Sequence, residues 1–122
     1  MHNYKELKIW QRAVDLATTV YSITQRFPAS ELYGLTQQIR RAVVSVSSNI
    51  AEGAGRKTEK EFGYFLNMAY GSLYELETQL IISCNLGFLE KEKNLELQTE
   101  INELQKMIYV LIKKQQSLST QY

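Results

Sequence analysis

Hydrophobic residues recur along this chain at intervals of three and four, and no alternation in twos is sustained as in a strand. That rhythm keeps apolar side chains on one face of an α-helix, so the pattern predicts helices and no strands. The clearest run is Ile39, Val43, Val46 and Ile50, which predicts a helix over 36–52 with Thr36 at its start. Gly53 then suits a left-handed position just past the helix end. A parallel row, Ala42, Ser45, Asn49 and Glu52, keeps the same rhythm with mostly short side chains, so a neighbouring backbone can come close. Asn49 and Glu52 on such a face need polar partners, with Arg40 or Arg56 as candidates for Glu52.

Three more helices follow from the same reading. Trp10, Ala13, Ala17, Val20, Thr24 and Phe27 predict a first helix over about 5–27, with Asn3 and Glu6 at capping-box spacing and Pro28 ending it. Thr58 and Glu61 form a second capping box, opening a helix over about 58–86. Its stripe is a strict heptad: Phe62, Leu66, Ala69, Leu73, Leu76, Leu80 and Ser83. Gly63 and Gly71 inside it read as points of close packing against a neighbouring helix, and Gly87 closes it. Leu97, Ile101, Leu104, Ile108 and Leu111 repeat the heptad in a last helix over about 91–115, leaving the aperiodic tail SLSTQY to fray. Four long helices with short joints predict one domain over residues 1–122: an all-α, antiparallel, up-down-up-down four-helix bundle.

Composition narrows the class without naming a function. A chain of 122 residues that is 44% hydrophobic and 22% charged has material for one globular core. Fourteen basic against thirteen acidic side chains leave a net charge of +1, a weak footprint for a nucleic-acid binder. A single cysteine, Cys84, excludes an internal disulfide and suits a reducing compartment. The absence of a membrane-length apolar run or a signal-peptide core makes a cytoplasmic location the expectation.

Catalytic chemistry finds little support. A ferritin-like centre needs carboxylates on several helices and Glu-x-x-His pairs, whereas the one histidine, His2, precedes every helix. Glu52 and Glu75 can both be drawn facing inward, yet two carboxylates without histidine make a poor metal site. Cys84 has no histidine to activate it. The expectation is therefore a non-enzyme with no metal and no cofactor. Two surfaces carry more interest. Arg40, Arg41, Arg56, Lys57 and Lys60 fall within 21 residues and form a candidate phosphate-binding cluster for RNA or DNA, unless they pair with carboxylates such as Glu52 and Glu31. Tyr70, Tyr74 and Ile81 form a second stripe about 100° round helix 3 from the heptad. One core cannot cover both stripes, and a tyrosine-rich surplus suits an oligomer interface.

The segment RRAVVSVSSNIAEGAGR carries a resemblance, joined by LKIWQRAVDLA, FPASELYGLTQQIRRA and FLNMAYGSLYELETQL. Together they cover most of residues 7–90. They resemble the four-helix-bundle proteins encoded in intervening sequences of bacterial 23S ribosomal RNA genes. The accessory variability protein of diversity-generating retroelements is similar. The resemblance implies a homo-oligomer, with a pentameric ring as the leading form, and no established activity. Two function classes stand side by side: a nucleic-acid-binding or accessory module, and a structural or protein-interaction oligomer with no nucleic-acid role.

Overall fold

A computed structural model of the protein describes residues 1–120. It contains four α-helices, α1 (Lys8–Thr24), α2 (Leu35–Ala54), α3 (Glu59–Asn85) and α4 (Lys91–Thr120), and no strand among the described residues. Each helix packs on its neighbours in sequence, and α1 closes the square against α4. The result is an all-α four-helix bundle with α1 diagonal to α3. No helix among the described residues is long and apolar enough to cross a membrane.

The heptads set the core. All seven residues of the predicted α3 stripe are buried, as are Ile39, Val43, Val46 and Ile50 of α2 and Leu97, Ile101, Leu104 and Ile108 of α4. On the first helix four of the six predicted residues, Ala13, Val20, Thr24 and Phe27, are buried, and Ile9 and Leu16 take the places expected for Trp10 and Ala17. Its buried line is Ile9, Ala13, Leu16, Val20 and Thr24, while Trp10 and Ala17 flank the core. The two lines share Ala13, Val20 and Thr24 and differ only at alternate turns, where the buried residue is Ile9 or Leu16. α1 is also shorter than expected. Leu7 is extended, a 3₁₀ turn at Tyr4–Glu6 precedes it, and Asn3 makes no side-chain cap.

The helix ends separate predicted caps from close contacts. Thr58 accepts a hydrogen bond from the Glu61 N–H at 3.1 Å and donates its hydroxyl to Glu61 Oε1 at 3.0 Å, so α3 opens as expected. Gly87 has φ +82°, and the bonds Gly87 N–H to Cys84 O and Phe88 N–H to Ser83 O close α3 in a Schellman motif. Gly53 does not cap α2: it lies within the helix, which continues to Ala54. A β-carbon there would sit 2.6 Å from Phe65 Cβ, so this glycine lets α2 and α3 touch. Thr36 is not a cap either, because α2 begins at Leu35 and Thr36 is buried in its first turn. α4 runs five residues past its predicted end, through part of the expected frayed tail. Gln121 and Tyr122 of that tail lie outside the described residues.

Candidate functional site

The basic cluster that is compact in sequence is divided in space. Arg40 and Arg41 lie in the second turn of α2, whereas Arg56 and Lys57 follow its end. Sixteen residues of mostly helical chain separate Arg40 from Arg56, about 24 Å at 1.5 Å per residue. Arg40 donates to Thr24 Oγ1 at 3.0 Å and to the Tyr21 carbonyl at 3.4 Å, with its guanidinium 4.6 Å from the Tyr21 ring centre. It is a tie between α1 and α2. Arg41 is exposed and makes no hydrogen bond or ion pair among the described residues. A groove of about 580 Å³ runs past both, lined by Tyr21, Leu32, Tyr33 and Val44 beside the arginines.

Arg56, Lys57 and Lys60 share the end of the bundle where α2 turns into α3. Arg56 pairs with Glu52 at 2.8 Å and lies 4.8 Å from the Phe65 ring centre. Lys57 and Lys60 are exposed without an ion pair among the described residues. An N-terminal strap crosses this end: the His2 N–H donates to Ala54 O at 2.7 Å, and the His2 ring meets Glu59 at 3.1 Å and stacks near Phe62.

Asn49 is satisfied within its own helix, donating to the Ser45 carbonyl and hydroxyl at 2.8 and 2.9 Å. Ser45 in turn meets Ser72 of α3 at 3.0 Å. Glu52 has the expected Arg56 partner, yet its side chain is 55% exposed. It is a surface ion pair, not a covered carboxylate. Glu75 is exposed as well, so neither glutamate points into the bundle.

The tyrosine row lies where α3 meets α4. Tyr70 and Tyr74 place their hydroxyls 3.2 Å apart and their rings edge to face, and Tyr109 of α4 stacks on Tyr70 with centroids 6.2 Å apart. The Tyr74 hydroxyl, followed by burial, pushes the Tyr70 phenol above its ordinary pKa. Tyr74 and Ile81 remain 48% and 42% exposed. Glu77, in the same row, turns inward to accept from Gln105 Nε2 at 2.7 Å.

A family model described as 23S rRNA-intervening sequence protein matches residues 5–110. The chain belongs to that family. Comparison with curated proteins finds no match. This 23S rRNA-intervening sequence protein also contains features that adjacency in sequence does not reveal. Lys113 and Lys114 join the basic end, because the last turns of α4 run beside the first turns of α3, with Gln115 against Gly63. Tyr109 completes the aromatic cluster from a helix 35 residues away from Tyr74. Arg12 clamps α1 to α4, donating to both oxygens of Glu100 at 2.8 and 2.9 Å and to Glu103 at 2.7 Å. Its hydrogen bonds to Glu100, ahead of those to Glu103, hold the guanidinium charged well beyond its ordinary range. The α4 side of that clamp shows in sequence as a Glu-rich first half, but its partner does not.

Proposed function

We propose that this protein is a non-enzymatic, self-associating module, with a ring of five copies as the leading form through its family resemblance. The observation that carries the reading is the chemistry of α3. The 28 residues from Phe62 to Leu89 contain no lysine or arginine and only two glutamates, Glu75 and Glu77. Exposed Tyr64, Met68, Tyr74, Ile81 and Ile82 lie on the same helix. An exposed helix surface poor in charge and rich in tyrosine, methionine and isoleucine suits a partner better than water. Light scattering should give a mass several times 14.1 kDa at micromolar concentration. Tyr74→Glu should lower that mass while preserving helicity. A wild-type mass of one chain across that range would end the reading.

A second reading, nucleic-acid binding, is favoured by a separate observation. Arg56, Lys57, Lys60, Lys113 and Lys114 gather at one end of the bundle from three stretches of chain, against Glu52, Glu59 and Glu61. Repeated around a ring, weak phosphate contacts at this end would act together through effective concentration. The protein would then work in the cytoplasm on RNA or DNA without reading sequence. A salt-dependent titration with both nucleic acids tests it. No binding by the intact oligomer at low salt would leave a protein-interaction role.

A further inference from the structure

α3 carries two heptads on opposite sides. One faces the core. Two positions on, Tyr64, Met68, Gly71, Glu75, Thr78 and Ile82 repeat the same four-three spacing about 200° round the helix, and all six are exposed. The glycine in the middle makes no close approach among the described residues. A β-carbon on Gly71 would meet nothing within 4 Å, and its φ is not in the left-handed region. A mid-helix glycine costs stability relative to alanine. At a bare position on an apolar seam, its remaining use is to let another backbone come near. This contrasts with Gly63, where a β-carbon would already lie 3.4 Å from Gln115 of α4.

The second half of the contact is the groove on α1 and α2. Its lining includes exposed Tyr21, Leu32, Tyr33 and Val44 with two arginines and no carboxylate. The outer face of α3 offers Glu75 and no base. The two patches are therefore complementary in charge, and each is unlike itself, which favours a head-to-tail contact over a two-fold one. Their heights also agree. The Ser45–Ser72 hydrogen bond fixes the level of α2 against α3. Because the helices run antiparallel, Arg41, four residues before Ser45, and Glu75, three after Ser72, both lie about one turn to the same side of it. Side-by-side copies related by rotation about an axis along the bundle bring equal heights together. Arg41 and Glu75, neither of which has an ion-pair partner among the described residues, would then meet without a rise that prevents closure.

We propose that a second copy of this chain seats the outer face of its α3 in the Tyr33–Arg41–Val44 groove, with Glu75 opposite Arg41 and Gly71 at the close approach. The proposal rests on the self-association reading and adds the surfaces and the polarity of the contact. Both charged residues are exposed, so reversing either should leave the bundle folded. Arg41→Glu and Glu75→Arg should each weaken assembly about tenfold or more, as expected when like charges meet at a contact. The chain carrying both reversals should assemble again at near wild-type concentration. Gly71→Leu, which has room within its own chain, should keep its helicity and remain monomeric. Wild-type protein that assembles while all these variants keep its mass would overturn the seam but not self-association. So would a double reversal that stays as dissociated as the single ones. Wild-type protein that is monomeric would overturn both.

Discussion

At Gly53 the bundle has no room for one more carbon. An alanine β-carbon would lie 2.6 Å from Phe65 Cβ, an atom fixed to the α3 backbone, and 3.1 Å from the Phe62 ring. Neither can swing aside as the tip of a long side chain would. Gly53→Ala should therefore push α2 off α3 and cost about 1–3 kcal/mol, read as a lower urea midpoint. Glu52, one residue earlier, should behave oppositely. It and Arg56 have side chains 55% and 41% exposed, and such pairs contribute about 0.5 kcal/mol. Glu52→Ala should leave the melting curve nearly unchanged. The sequence led to the reverse expectation, because the row Ala42, Ser45, Asn49 and Glu52 looks uniformly covered. In the fold that row tilts outward by its last turn, and the close contact passes to Gly53.

Between elements, α1 and α4 share the smallest contact of the four adjacent pairs, and Arg12 concentrates the polar part of it. Two carboxylates grip one guanidinium that is only 32% exposed, a stronger arrangement than a lone surface pair. Arg12→Ala should cost about 1 kcal/mol after allowing for solvent screening, and the difference from wild type should shrink as salt is added. The Tyr70–Tyr74 pair on α3 has its own pH signature, set first by the Tyr74 hydroxyl. Tyr70 holds its proton more tightly folded than unfolded, so its contribution is fully present below the ordinary tyrosine pKa of 10.0. It should be lost as pH rises through the higher folded value. Absorbance of tyrosinate during an alkaline titration should show one late-titrating tyrosine that Tyr74→Phe brings earlier. Helix identity was legible in the sequence because heptads such as Phe62–Ser83 admit one face. The first helix was legible in part: Ala13, Val20, Thr24 and Phe27 are buried as expected, but Ile9 and Leu16 keep the same seven-residue spacing as Trp10 and Ala17 one position earlier and are buried instead. The unity of the basic cluster was misleading for a simpler reason: α2 is a rigid rod, so Arg40 and Arg56 are near in sequence and far in space.

Across the whole molecule, charge is sorted by end more than the near-neutral total suggests. α4 holds Glu92, Glu96, Glu100 and Glu103 in its first half and Lys106, Lys113 and Lys114 after them, with no acid following. Since α4 runs toward the α2–α3 joint, Lys113 and Lys114 in its last turns reinforce Arg56, Lys57 and Lys60. A net charge of +1 per chain therefore coexists with a basic end and an acid-rich opposite half. If the basic end contacts phosphate, binding should follow counterion release, falling linearly in logarithm with salt and independent of sequence. Lys57→Ala and Lys60→Ala should each weaken RNA or DNA binding uniformly and reduce the slope by about one unit per lost contact on each engaged copy. Lys91→Ala, at the other end of the bundle, is the control and should leave the slope unchanged. If all three variants flatten the slope equally, the attraction comes from overall charge, and the basic end is not a site. If Lys57→Ala and Lys60→Ala match wild type while binding persists, phosphate is held elsewhere on the protein.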